Sequence, residues 1–167
     1  MVSGDIPMWK PENVLHEGAE ATVTSGSWLG RKAVLKSRRA RSYRHPDLDR
    51  RLTRQRLAVE ARVLSRLSSV GFPSPKLMFL DQRNSSMLLS RIEGRTLYEL
   101  LKSDESSGDE LFSLGGLIRR LHEIGISHGD LTTHNVMSTE EGELHIIDFG
   151  LSRQSPELEH LGLDLSL

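Results

Sequence analysis

The sequence contains no cysteine, which excludes disulfides, thiolate metal sites and cysteine nucleophiles. It is poor in aromatics, at 5% of residues, and in proline, with 6. It has no apolar run of about 18 residues, so no transmembrane helix is expected. The first ten residues hold Asp5, Pro7 and Lys10 and no apolar stretch, so no signal peptide is expected there. Nor is charge of one sign in excess, since the formal net charge is −1. What is present is a chain of 167 residues with 37% hydrophobic and 27% charged residues, enough for a core in one domain.

The near-neutral total conceals a segregation. Residues 31–66 carry a balance of +10 and the remainder a balance of −11. A basic segment of this kind suits phosphate, RNA or an acidic partner protein, and arginine serves phosphate and carboxylate equally well. Its arginines at 50, 51, 54 and 56 do not share one helical face, so part of the segment is read as general positive field.

Patterning gives the elements. The β-branched run Thr22-Val23-Thr24 predicts a strand, and Trp28-Leu29 and Ala33–Lys36 around Gly30-Arg31 predict a hairpin. Residues 43–46 read as a loop, with Asp47 or Asp49 as a cap for the next helix. Leu52, Leu57, Ala61, Leu64 and Leu67 recur at helical spacing to about residue 68, with an arginine-rich opposite face. Residues 76–81 and 86–91 predict two strands joined by a turn at 82–85. Thr96 predicts the cap of a short helix through Leu101, and 103–108 is the best linker candidate. Residues 111–124 predict a helix with Leu114, Leu117, Ile118 and Leu121 on one face, ended by Gly125. Residues 128–137 read as a structured loop, 144–147 as a strand, and 158–167 as the start of another helix.

Phosphoryl transfer asks for few groups. It needs a carboxylate to orient the attacking oxygen, oxygen ligands for Mg²⁺, and a cation for the nucleotide phosphates. Asp130 suits the first role and Asn135 and Asp148 the second. Lys36, on a predicted strand and within reach of Glu60 on the long helix, suits the third. Their order, Ala-Val-Leu-Lys, a helix glutamate, His-x-Asp-x-x-x-x-Asn and Asp-Phe-Gly, is the order of the protein-kinase signature. Each element alone is common; the ordered set is specific. The predicted fold class is α+β, a two-lobed protein-kinase-like fold. It forms a single domain over 1–167, with a β-rich N-lobe at about 10–93 carrying one long helix. A hinge is expected near 90–95 and a minimal, truncated helical C-lobe at about 96–167. The catalytic set is Asp130, Lys36 and Glu60. The nucleotide set is Gly18, Ala33, Lys36, Leu89, Arg91, Asn135 and Asp148, of which Asn135 and Asp148 also hold the metal. The cofactors are ATP and Mg²⁺.

The chain further resembles the Bud32, or p53-related protein kinase, family of small atypical kinases in the KEOPS (EKC) complex. The matching residues are Glu17-Gly18-Ala19-Glu20-Ala21, Tyr43-Arg44-His45-Pro46, Leu48-Asp49, Glu60-Ala61-Arg62, Ile92-Glu93-Gly94, His128-Gly129-Asp130-Leu131-Thr132-Thr133-x-Asn135 and Ile147-Asp148-Phe149-Gly150-Leu151-Ser152. The resemblance implies a Mg²⁺-dependent ATPase of atypical Ser/Thr kinase type that supports formation of threonylcarbamoyladenosine (t6A) at adenosine 37 of tRNA. It implies a Kae1-type partner on the C-lobe, a Cgi121-type partner on the N-lobe, no membrane, and a cytoplasmic location, also nuclear in a eukaryote. Contact of the assembled complex with tRNA is left open. A dedicated Ser/Thr protein kinase and a catalytically weak scaffold or truncated isoform are the alternatives.

Several residues depart from an ordinary kinase. Only Gly18 remains of the phosphate-loop glycines, beside Glu20 and Ala21. Thr132 replaces the usual lysine, His134 replaces the family's usual serine, and no Ala-Pro-Glu segment follows Gly150. These departures favour ATPase over protein kinase. The resemblance makes Asp164 the buried aspartate that holds the loop of His128 and Asp130. The family's following helices are not in the sequence, from which an exposed Leu117/Ile118 face and low stability are expected.

Overall fold

The computed structural model describes residues 6–18, 21–38, 46–103, 105–106 and 108–166. Ala19 and Glu20, residues 43–45 of the predicted loop, and Asp104 and Ser107 of the predicted linker lie outside the described residues. The chain divides into two compact units, Met1–Ala61 with Lys76–Arg91, and Arg62–Pro75 with Ile92–Leu167.

The first unit is built on β1 (Trp9–Glu17), β2 (Ala21–Trp28), β3 (Arg31–Arg38), β4 (Leu77–Asp81) and β5 (Ser86–Ser90). They form one antiparallel sheet in the order β1-β2-β3-β5-β4. Leu29 and Gly30 join β2 to β3 with φ of 49° and 76°. That is the two-residue turn whose twist matches the strands it links, and it asks for positive φ at both positions. At the other hairpin, Asp81 accepts the backbone N–H groups of Arg83 and Asn84 and the Asn84 side-chain amide. Burial works against the Asp81 charge, but those hydrogen bonds outweigh it and hold the carboxyl below its ordinary range.

One sheet face carries the core cluster Ile6, Ala33, Leu35 and Leu88, flanked by Trp9, Trp28, Met78 and Phe79. Strand β3 is central, with Val23 opposite Lys36 on one side and Met87 on the other. A residue held between two ladders has little backbone freedom, which suits a side chain that must be aimed.

Helix α1 spans Pro46–Ser69 and belongs to the first unit as far as Ala61. Pro46 opens it, where a missing N–H costs nothing. Asp47 and Asp49 stand inside the first turn and complement the helix dipole there, so neither is the cap expected from sequence. Leu57, Ala61, Val63, Leu64 and Leu67 form the buried stripe, and Arg50, Arg51, Arg54, Arg62 and Arg66 are exposed.

The second unit holds β6 (Arg95–Thr96), α2 (Leu97–Lys102), α3 (Asp109–Glu123), β7 (Ile126–Ser127), a 3₁₀ turn at Thr133–Asn135, β8 (Val136–Ser138), β9 (Leu144–Ile146), β10 (Arg153–Gln154) and α4 (Leu158–Asp164). Thr96 caps α2 in a reciprocal box with Glu99. The Thr96 backbone N–H, as the first cause, holds the Glu99 carboxyl below its ordinary value. Arg120 donates to the carbonyls of Val70 and Gly71 and lies over the Phe72 ring, and Arg66 donates to the carbonyl of Ile124. Leu117 and Ile118 are buried, contrary to the exposed face expected for them. The exposed large apolar side chains of this unit include Leu111, Phe112, Leu158, Leu163 and Leu165. Among the described residues no helix is long and apolar enough to cross a membrane.

Candidate functional site

In the first unit, the Lys36 Nζ donates to Glu60 Oε1 at 2.8 Å, and Arg38 Nη2 donates to Glu60 Oε2 at 2.7 Å. All three side chains are buried, Glu60 with 1% of its side chain exposed. Burying a lone carboxylate is costly, and two cations on its two oxygens offset that cost. The ion pair expected between Lys36 and Glu60 is therefore present, joined by an arginine that the sequence reading did not single out.

The remaining nucleotide-site candidates of this unit separate. Leu89 pairs with Val34, which lies two residues before Lys36 and so shares its side of the sheet. Ala33 falls on the opposite side, in the core cluster with Leu35 and Leu88. This corrects the sequence reading: strand alternation places Val34, not Ala33, beside the lysine. Gly18 donates its N–H to the carbonyl of Ala21, and Arg91 its N–H to that of Lys32.

In the second unit the candidate groups sit on loops held by buried side chains. Asp164, 1% exposed, accepts the His128 N–H at 2.7 Å and the Gly129 N–H at 2.9 Å, and its Oδ2 lies 2.9 Å from His122 Nε2. The role that the resemblance gave Asp164 is thus visible as geometry, with His122 as a further partner. Gly129 has φ of 83°, and a Cβ there would lie 2.4 Å from the Leu151 carbonyl oxygen, so only glycine fits.

His128 is fully buried. Its Nδ1 accepts the Asp130 N–H, which leaves Nε2 to carry the proton and donate to the Ile147 carbonyl at 2.9 Å. Its ring packs on that of Phe149, centroids 5.0 Å apart. One histidine thus ties the segment of Asp130 to the segment of Asp148. A second tie runs from the Ile147 N–H to the Asn135 carbonyl.

Asn135 turns its side-chain nitrogen to the Asp130 carbonyl at 2.8 Å, so its Oδ1 is the end left to accept or ligate. Asp148 has φ of 60°, a left-handed conformation uncommon for a residue with a side chain, and its Oδ1 accepts the Gly150 N–H. Phe149 is fully buried, and Ser152 bonds its carbonyl through both Oγ and N–H. Asp130 and Asp148 are exposed.

This donor set fits Mg²⁺ better than a metal caged by protein alone. Among the described residues no group of three or more His, Cys, Asp or Glu gathers as a metal cage. An amide oxygen and one carboxylate are what Mg²⁺ uses when phosphate oxygens and water complete its shell. His134, between Asp130 and Asn135, stacks on Tyr98 with centroids 4.1 Å apart.

His122 and Arg38 were both missed. The signal for Arg38 was its place two residues after Lys36 on a strand; for His122 the sequence carried none until Asp164 was positioned.

Comparison with known proteins agrees with this geometry. Residues 16–158 match the lipopolysaccharide kinase (Kdo/WaaP) family. The chain is 36% identical over 155 residues to the probable bifunctional tRNA threonylcarbamoyladenosine biosynthesis protein of Methanobrevibacter smithii, covering 93% of this chain and 28% of that protein. It is 36% identical over 163 residues to the EKC/KEOPS complex subunit Tp53rkb of Mus musculus, covering 91% and 67%. It is 38% identical over 138 residues to the KEOPS complex subunit Bud32 of Pyrococcus abyssi, covering 81% and 62%. The chain thus spans about a quarter of the bifunctional relative and about two thirds of the single-subunit ones. Among solved structures, the Rio2 kinase–ADP/Mg²⁺–phosphoaspartate complex from Chaetomium thermophilum superimposes with a TM-score of 0.77 at 20% identity, covering 95% of this chain and 53% of that one. The fold is therefore protein-kinase-like, and by sequence the chain belongs to the family of the Bud32 and Tp53rkb KEOPS subunits.

Proposed function

We propose that the chain is a Mg²⁺-dependent ATPase of atypical kinase type, acting within a KEOPS/EKC assembly that supports t6A formation on tRNA. The observation that carries the reading is the buried Lys36–Glu60 pair at 2.8 Å in a kinase-like fold. A surface lysine needs no such support; a buried one aimed by a carboxylate is suited to phosphate.

In this reading Lys36 supplies the cation for the nucleotide phosphates, and Asn135 and Asp148 supply oxygens for Mg²⁺. Asp130, exposed and fixed at its backbone by His128 and Asn135, orients the attacking water or hydroxyl. Mg²⁺ when bound neutralises phosphate charge. Gly18, Leu89 and Arg91 remain nucleotide-site candidates, and Ala33 does not. The partner surfaces follow the resemblance: a Kae1-type subunit on the second unit and a Cgi121-type subunit on the first. The exposed arginines of α1 are assigned to a partner protein or to tRNA in the assembled complex.

Phosphate release measured with and without the Kae1-type partner tests the reading. The expected result is a rate that rises when the partner is added. Equal rates point instead to a dedicated protein kinase. No hydrolysis under either condition, with partner binding intact, points to a scaffold.

A further inference from the structure

We propose that His134 and Tyr98 are positioning residues for Asn135: their stacked rings brace the turn that carries it against helix α2, and so hold its amide oxygen for Mg²⁺. The inference rests on the nucleotide reading above.

The stretch from His128 to Asn135 is anchored unequally. At its start, His128 and Leu131 are buried. At its end, the 3₁₀ turn Thr133–Asn135 holds no buried residue, and Thr132 gives it no side-chain cap. One bond closes the turn, from the Asn135 N–H to the Thr132 carbonyl at 2.9 Å. The bond from the Asn135 side chain to the Asp130 carbonyl stays within the same stretch, and the Ile147 N–H ties only the last carbonyl of the turn. A single 3₁₀ turn has poor hydrogen-bond geometry and opens readily unless neighbouring groups support it.

Helix α2 supplies that support. Leu97 is fully buried, and Thr96 and Glu99 close the capping box, so Tyr98 stands on a fixed first turn. His134 lays its ring on that of Tyr98, with centroids 4.1 Å apart and planes 22° from parallel. Lys102 Nζ lies over the same tyrosine ring, 5.9 Å from its centroid. Both stacked rings are exposed, so the stack adds little to the core; what it supplies is a fixed orientation. His134 directly precedes Asn135, and holding its ring limits the backbone rotation that would swing the Asn135 amide. Among the described residues the His134 nitrogens have no hydrogen-bond partner, so the contact is made by the face of the ring. A flat ring without nitrogens would serve equally, and a small side chain would not.

The test compares the unsubstituted chain with His134→Phe, His134→Ala and Tyr98→Ala. Amide hydrogen exchange is followed without ligand, Mg-ATP is titrated calorimetrically, and each protein is melted. All are expected to melt close together, because the rings are exposed. In His134→Ala and Tyr98→Ala the Asn135 amide is expected to exchange about three- to tenfold faster, and Mg-ATP to bind more weakly by a similar factor. His134→Phe is expected to match the unsubstituted chain in both. In an Asn135→Ala background, His134→Ala is expected to change Mg-ATP affinity by less than about twofold, because no amide oxygen remains to be held. Unchanged exchange in His134→Ala overturns the inference. So does a His134→Phe variant that behaves as His134→Ala, which would assign the role to the imidazole nitrogens, and so does an undiminished loss in the Asn135→Ala background. Faster exchange in His134→Ala, with no Mg-ATP binding by the unsubstituted chain, overturns the nucleotide reading and with it the purpose given to the brace.

Discussion

The two units fix their charges in opposite ways. In the first, the charged groups themselves are buried, and Lys36 and Arg38 share the carboxylate of Glu60. In the second, Asp130 and Asp148 are exposed, and the buried charge is Asp164, whose oxygens are occupied by the N–H groups of His128 and Gly129 and by His122. The first unit aims a side chain by electrostatics in a dry setting. The second fixes a stretch of backbone through a buried carboxylate and keeps Asp130 and Asp148 exposed. A buried cation is reached by removing its partner; an exposed carboxylate is reached by loosening the loop beneath it.

Glu60→Ala is the sharpest way to break the first arrangement. It removes the carboxylate that two buried cations share and is expected to cost about 3–5 kcal/mol, measured by urea unfolding. Asp164→Asn is the counterpart in the second unit. It keeps the shape and removes the charge from three hydrogen bonds, for an expected loss of about 2–3 kcal/mol. Faster hydrogen exchange at the His128 and Gly129 amides is the readout that separates this from general destabilisation.

Smaller effects sharpen the comparison at the surface of the second unit. Thr96→Ala removes one half of the α2 capping box and is expected to cost about 1 kcal/mol. The box also predicts a pH dependence. The Glu99 carboxyl is held below its ordinary value when folded, so its contribution is present above that ordinary value and fades as pH falls through the lowered one. Melts of Glu99→Gln and the unsubstituted chain are expected to differ at neutral pH and to converge as pH falls through the lowered value. Arg119→Ala breaks an exposed pair with Glu123 and is expected to change stability by less than about 0.5 kcal/mol.

Much of this was readable from the chain, and the unreadable parts have physical reasons. Helices α1 and α3 declared themselves because each buries a stripe at helical spacing, and the β2–β3 hairpin because Gly30-Arg31 separates Trp28-Leu29 from the apolar run that ends in Lys36. Strand β1 is not among the elements that patterning predicts. Most of its side chains are exposed, it is an edge strand, and its pairing with β2 shifts register twice, so it leaves no alternation to read. The two-residue strands β7 and β10 exist only as partners of each other. Strand β8 lay hidden in 128–137, where polar loop residues adjoin it. Among the candidate residues, Lys36, Glu60, Asp130, Asn135 and Asp148 were proposed by type and order, and the buried Asp164 by resemblance. Arg38 was lost within the basic run of 31–66, because composition does not tell a buried arginine from a solvated one. The run Ala-Val-Leu-Lys does not by itself say which residue shares the lysine's side; the strand's alternation gives Val34.

The central claim is that the exposed acceptors of the second unit serve a nucleotide together with Mg²⁺. Calorimetric titration of Mg-ATP into the unsubstituted chain and into Asp148→Ala tests it most directly. The account predicts binding by the unsubstituted chain and a loss of at least about tenfold in the variant, whose Mg²⁺ keeps no protein carboxylate. Equal affinity of the two would contradict it.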